Sequence, residues 1–212
     1  MSRRPFILVL AGVNGAGKSS VAGAMLAEHG LPWFNPDSYA RELMAALRLS
    51  AEEANGRAWQ HGFDQLRAAL ATGRNYAFET TLGGHSIASL LADASRTHDV
   101  QMLFCGLASP ELHIARVHQR VARGGHAIPE HKIRERWVAS RANLVHLLPT
   151  LARLQVFDNS APAALGQPIP APRLLLEMAA RRVLAPQADD SAALAALPAW
   201  VRPIVEAAYR LG

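Results

Sequence analysis

Gly12-Val13-Asn14-Gly15-Ala16-Gly17-Lys18-Ser19 fits the pattern G-x-x-x-x-G-K-[ST] without exception. An apolar run precedes it and a helical pattern follows. Such a loop lets backbone amides close on phosphate oxygens at the positive end of a helix. Lys18 would bridge the β- and γ-phosphates, and Ser19 would place a hydroxyl on Mg²⁺. Gly12, Asn14, Gly15, Ala16, Gly17, Lys18, Ser19 and Ser20 are therefore the candidate nucleotide-binding residues. The loop alone does not separate a GTPase, a motor and a small-molecule kinase. The size argues against a motor, and no guanine-recognition motif of the GTPase type is present. A kinase needs a group that activates the acceptor and a basic lid.

Candidates for both exist. Asp37, after Phe34-Asn35-Pro36, can accept a proton from an attacking hydroxyl, hold a metal-bound water, or cap a helix. Glu79 ends an apolar run where a charge needs a partner, and Thr81 offers a hydroxyl to a substrate or phosphate. Arg116, Arg120 and Arg123 recur at spacings of four and three, so one helical face carries all three, just before Gly124-Gly125-His126. Guanidiniums beside a flexible turn can clamp phosphates; the bland reading is a solvated helix face. His126 reads as a lid contact and His131 as a surface residue. Asn159, in Phe157-Asp158-Asn159-Ser160, would lie near the nucleotide, or form a plain turn.

The elements that must position these groups alternate. Short apolar runs at Phe6–Ala11, Pro32–Asn35, Asn75–Phe78, Val100–Leu107 and Leu154–Phe157 read as strands. Helical patterns cover 18–29, 38–49, 50–72, 85–97, 110–123 and 129–148, with Ser50 and Glu53 as a capping box and Ser109-Pro110 as a helix start. The expected fold is α/β: a P-loop, nucleoside-kinase-like three-layer sandwich with a mostly parallel five-stranded sheet. Residues 1–160 are expected to form one domain that carries the loop and the candidate kinase groups. Residues 161–212 hold 7 of the 13 prolines and read as a linker (Ala161–Pro172) with a helical C-terminal extension, packed back through Trp200 and Tyr209.

Composition narrows the classes further. Half of the 212 residues are hydrophobic and 18% are charged, which excludes a disordered chain. The net charge of +5 is concentrated: residues 111–141 hold seven cations and three anions. That fits a localised anion site better than a nucleic-acid surface. The single cysteine, Cys105, excludes an internal disulfide and reads as a buried thiol. The histidines make no metal signature. No apolar run is long enough for a membrane span and no signal peptide is read, so a cytoplasmic protein is expected.

In order, G-V-N-G-A-G-K-S-S, F-N-P-D, F-E-T-T-L, S-P-E-L-H-I-A-R-V-H-Q-R-V-A-R-G-G-H-A-I-P-E and F-D-N-S resemble the zeta-toxin family of P-loop kinases, especially its small bacterial chromosomal members. The resemblance covers Phe6 to Ser160. It implies Mg²⁺-dependent transfer of the γ-phosphate of ATP, with GTP as an alternative donor, to a hydroxyl of UDP-N-acetylglucosamine. It implies Lys18 and Ser19 as phosphate and metal residues, Asp37 as catalytic base and Thr81 as substrate contact. Arg116 matches the lid arginine that meets the transferring phosphate, with Arg120 as the alternative. His126 stands where the family has a second lid arginine, and the family's acidic sugar contact is approached only by Asp64. An antitoxin protein is the partner implied. The rivals are a housekeeping kinase of another small metabolite and a non-enzymatic nucleotide-gated binding protein.

Overall fold

The structure is a computed structural model describing residues 4–19, 21, 26, 32–162 and 170–212. Its centre is β1 (Phe6–Ala11), the predicted apolar run. β1 pairs in parallel with β2 (Tyr76–Thr80) on one side and β3 (Asp99–Gly106) on the other. β3 pairs in parallel with β4 (Arg153–Asp158). Side chains alternate across β1. Ile7, Val9 and Ala11 join the main core, while Leu10, packed with Leu8, meets Leu26 on the other face. The sheet is thus the middle of three layers.

Two expectations are corrected at the sheet's edges. Pro32–Asn35 is not a strand: only Phe34 bridges to Phe78. Pro36 follows at once, and helix α1 (Pro36–Leu47) begins there. The C-terminal extension, in turn, is not purely helical. β5 (Arg173–Ala179) pairs antiparallel with β4, and β6 (Arg182–Ala185) pairs antiparallel with β5. The sheet therefore has six strands in the order β2-β1-β3-β4-β5-β6 and is mixed, not a five-stranded sheet. Leu174-Leu175-Leu176 is an apolar run too short for its periodicity to separate a strand from a helix, although Pro172 lies two residues before it. Its pairing partner is the exposed side of β4, a tertiary cue that local pattern lacks.

Helix α2 (Ala51–Thr72) starts at the predicted capping box: Glu53 N donates to Ser50 Oγ at 3.2 Å, and Ser50 N to Glu53 Oε2 at 3.1 Å. Helix α3 (His85–Ala94) links β2 to β3 and packs on the core through Ile87 and Leu91. Helix α4 (Pro110–Val121) is capped by Ser109, whose Oγ accepts from Leu112 N at 3.3 Å. Helix α5 (Glu130–Leu147) returns over the sheet and leads through a 3₁₀ turn, Leu148–Thr150, into β4. Helices α6 (Ser191–Ala195) and α7 (Arg202–Tyr209) end the chain. Trp200 is 4% exposed, with its indole set against Gly106 and Phe104 in the main core.

The parallel strands β2, β1, β3 and β4 end at the same edge. The connection from β1 runs to one side, to β2, and β3 then lies on the other. Loops leaving such an edge face one crevice. It gathers the glycine loop, Glu79–Thr81 and Asp158–Asn159.

Candidate functional site

The loop after β1 is shaped by what lies behind it. Gly12 has φ +142°, and a Cβ there would overlap the Cys105 carbonyl oxygen of β3. Gly17 has φ +84°, and a Cβ there would overlap the Asn159 amide. Neither backbone conformation suits a side chain. Asn159 Nδ2 donates to Ala16 O at 2.9 Å, and Cys105 Sγ donates to the same oxygen at 3.1 Å. Burial pushes the Cys105 thiol up to about 12, consistent with the expected inert core cysteine. His113 of α4 donates from Nδ1 to Asn14 O at 2.9 Å; the carbonyl can only accept, which fixes the proton on Nδ1. Burial chiefly pushes His113 down to about 4, so it is neutral at pH 7.

In front of the loop the charges are paired. Lys18 Nζ lies 3.4 Å from Glu79 Oε1, both nearly buried. Glu79 Oε2 accepts from Ser19 Oγ at 2.9 Å and from Asn35 Nδ2 at 2.8 Å. Glu79 thus has the partners that its place at the end of an apolar strand demands. Asn35 Nδ2 also lies 3.3 Å from Ser19 Oγ. Its Oδ1 accepts from Ser38 N at 3.1 Å, which makes Asn35 the cap of α1. Asp37 is therefore not the cap. It stands in the first turn of α1, with Oδ2 3.6 Å from Arg120 Nη1.

The arginine face divides. Arg116 turns behind the loop, donating from Nη2 to Asn159 O at 2.7 Å. Arg120 turns to the front, reaching Asp37 and donating to His126 O at 3.4 Å. Arg123 lies exposed at the turn leading to Gly124-Gly125. Ser20 lies outside the described residues, as does most of the helix expected over 18–29.

A cavity of about 330 Å³ opens from Lys18 and Glu79 past Asp37, Thr81 and His126. Asp64 does not line it; its Oδ1 accepts from Gln60 on the open side of α2. Arg136, which the sequence singled out only as one charge in a run, does line it. Arg136 Nη1 donates to Asn14 Oδ1 at 2.7 Å, and burial lowers its pKa from the usual guanidinium value. Asn14 is thereby gripped twice, through its backbone by α4 and through its side chain by α5. Asn35, His113 and the aromatic wall of Trp59 and Phe63 also went unread. Asn35 alone carried a signal, as an Asn just before Pro36, a residue pair that starts helices.

Ser19 and Glu79 supply hard oxygen donors beside the loop. A Mg²⁺ at a phosphate site keeps several waters and takes one or two protein oxygens, so these residues fit it. Among the described residues no group of three or more His, Cys, Asp or Glu could hold a metal by itself.

No curated protein matches the chain in sequence. Solved structures share its fold. One is the AvrRxo1-ORF1:AvrRxo1-ORF2 complex with ATP, at TM-score 0.63 and 15% identity over 83% of this chain and 59% of that one. A second is the PezAT chromosomal toxin-antitoxin system of Streptococcus pneumoniae, at 0.55 and 19% over 74% and 68%. A third is the Pnkp1/Rnl/Hen1 RNA repair complex, at 0.53 and 20% over 68% and 46%. The chain thus spans about 60% of the length of the AvrRxo1 chain it matches. These likenesses show that the chain shares the α/β fold of those structures. Residues 7–144, from β1 through most of α5 and well over half of the chain, match the AAA_33 family, AAA domain, and the chain belongs to that family.

Proposed function

We propose that the protein is a kinase that moves the γ-phosphate of ATP to a hydroxyl of a small acceptor, in the manner of the zeta toxins. UDP-N-acetylglucosamine is the leading acceptor. The observation that carries the reading is the joining of two features in one cavity. The loop lysine stands at one end, and the carboxylate of Asp37 opens into the same space. In this reading Asp37 accepts the proton of the acceptor hydroxyl as its oxygen attacks the γ-phosphorus. The bond from that phosphorus to the β–γ bridging oxygen breaks, and the electron pair leaves on ADP. Lys18, Arg120 and Arg136 stabilise the charge on the moving phosphoryl group. Ser19, with Glu79 beside it, would hold Mg²⁺, which would supply charge neutralisation at the phosphates.

The Lys18–Glu79 and Arg120–Asp37 pairs support this assignment. Each sets a cation suited to phosphate against a carboxylate suited to metal or acceptor. A bound triphosphate would draw both cations away and free both carboxylates. Thr81 and His126 are assigned to the acceptor, and Asn159 and Arg116 to fixing the loop. Residues 1–160 carry the chemistry, and 161–212 complete the sheet and core. The likeness to a chain of the PezAT toxin-antitoxin system supports a protein partner of the antitoxin kind.

The test is incubation with ATP, Mg²⁺ and a metabolite extract, followed by mass spectrometry for a product that gains one phosphate. Pure UDP-N-acetylglucosamine follows as acceptor. A phosphorylated product that is absent with Lys18→Ala supports the kinase reading. ATP binding without any phosphorylated product would overturn it in favour of a nucleotide-gated binding protein.

A further inference from the structure

Glu79 is held from two directions. Among the described residues its carboxylate has three side-chain partners: Lys18 at 3.4 Å, Ser19 at 2.9 Å and Asn35 at 2.8 Å. Lys18 and Ser19 belong to the phosphate loop, and a bound triphosphate with its metal would engage both. Asn35 lies outside the loop. It is the partner that can stay on Glu79 while the loop turns to its ligand. Glu79 is only 7% exposed, so a carboxylate left there without a donor would be costly.

Asn35 suits this task by residue type. Its Oδ1 accepts from Ser38 N at 3.1 Å, which caps α1. That bond assigns the amide: the oxygen meets a backbone donor, so the NH₂ arm faces the Glu79 carboxylate, which only accepts. Ser, Thr and Asp also cap helices. Ser and Thr have no second arm to reach Glu79, and Asp would set one carboxylate against another. Capping alone therefore does not account for Asn at this position. The main chain repeats the link. Phe34 N donates to Ala77 O at 2.9 Å, and Glu79 N donates to Phe34 O at 2.9 Å. The bridge between Phe34 and Phe78 thus ties the entry to α1 to the strand that carries Glu79. Pro36 and Asp37 follow at once in the first turn.

We propose that Asn35 is a positioning residue for phosphoryl transfer. Its one amide holds Glu79, on the metal side, in a fixed relation to the first turn of α1 and so to Asp37. Asn35 does not line the cavity, so it acts through these two carboxylates and not on the reacting atoms. The Asp37 half rests on the kinase reading; the Glu79 half does not.

The test separates this task from capping. Asn35→Ser and Asn35→Thr keep a capping oxygen and remove the arm to Glu79; melting curves check that each folds. Calorimetry measures binding of the non-hydrolysable analogue AMP-PNP with and without Mg²⁺. In wild type Mg²⁺ should tighten binding. Both variants should bind metal-free AMP-PNP within about twofold of wild type and lose about tenfold of the Mg²⁺ effect, the scale seen when a metal ligand loses its supporting hydrogen bond. In a Glu79→Gln background, Asn35→Ser should cost the Mg²⁺ effect far less, because the carboxylate it acts through is gone. Three outcomes overturn the Glu79 half: no Mg²⁺ effect in wild type, a full Mg²⁺ effect in both variants, or an equal loss in both backgrounds. Phosphate transfer from ATP in wild type, with a metabolite extract as acceptor, tests the kinase reading separately. Metal coupling without transfer would sink that reading and leave the Glu79 half standing. Where transfer occurs, Asn35→Ser should remain about tenfold slower at saturating ATP and Mg²⁺. Full kcat there would overturn the Asp37 half.

Discussion

The two ends of the cavity are held in different ways. At the phosphate loop the backbone is the working surface. Gly12 rests on the Cys105 carbonyl, Gly17 on Asn159, and Asn14 is held from behind by His113. Nearly every constraint there is imposed by a neighbouring main chain or a buried side chain. At the far end the working surface is made of side chains from separate elements: Asp37 from α1, Trp59 from α2, Thr81 after β2 and Arg136 from α5. A backbone-made site needs particular residues at fixed spacing, because one misplaced Cβ closes it. A side-chain-made site can recruit from anywhere the fold brings near. The first kind tolerates little variation, and the second is where a family can change its acceptor.

The largest effect should follow removal of the loop cation. Lys18→Ala is expected to cut transfer by about 10²–10³-fold or more. It also strands Glu79, and breaking a buried pair costs about 3–5 kcal/mol, softened here by the hydrogen bonds from Ser19 and Asn35. Adding Glu79→Gln should recover part of the melting temperature and none of the turnover. Recovery of turnover in that double variant would mean that Lys18 serves folding alone. Asp37→Asn comes next. Transfer should drop about 10²-fold. Because Asn35 is the cap, the stability change should be limited to the helix-dipole contribution of a first-turn carboxylate, about 0.3–1 kcal/mol, and the loss of the half-exposed pair with Arg120, about 0–1 kcal/mol. Full specific activity in Asp37→Asn would move the base elsewhere.

The same contrast explains what could be read without coordinates. Gly12 through Ser19 were legible because the loop's needs are local, and the capping pair Ser50–Glu53 for the same reason. The four parallel strands were legible as continuous apolar runs. Pro32–Asn35 misled because its apolar pattern is real, yet Pro36 starts a helix before the segment can pair beyond one bridge. The β5–β6 hairpin was missed because its partner, β4, defines it. Arg136 was hidden in a run of charges: its contact, Asn14, is 122 residues away in sequence. The helical spacing of Arg116, Arg120 and Arg123, four and then three residues, promised one shared task. Side chains four residues apart on one face can still turn to opposite sides of a loop, and here they do.

That division gives the next prediction. Arg120→Ala and Arg136→Ala remove charges that face the cavity, so both should lower kcat by about 10- to 100-fold with triphosphate affinity changed much less. Arg116→Ala removes a grip on the segment behind the loop, so it should weaken triphosphate binding more than it lowers kcat. Nucleotide affinity and turnover must be measured on the same samples. Equal kcat losses at all three positions would restore a single arginine lid and erase the contrast between front and back.

The smallest effect on turnover belongs to His113, which touches the loop only from behind. Its ring is neutral in the fold, with a pKa of about 4 set chiefly by burial, against about 6.5 when the chain is unfolded. Between those values the unfolded chain holds the proton and the fold does not. The stability from the neutral, buried ring is therefore complete above pH 6.5 and declines as pH falls toward 4. The full loss is on the order of 3 kcal/mol, and about 2 kcal/mol of it should be gone by pH 5. His113→Gln removes this titration and keeps a donor for the Asn14 carbonyl. Denaturant unfolding at pH 7 and pH 5 should show a clearly smaller difference for the variant than for wild type. Turnover at pH 7 should change by no more than a few-fold, since no charge at His113 faces the cavity. A variant as pH-sensitive as wild type would place the buried proton elsewhere. A large loss of turnover at unchanged stability would make the back of the loop part of the chemistry.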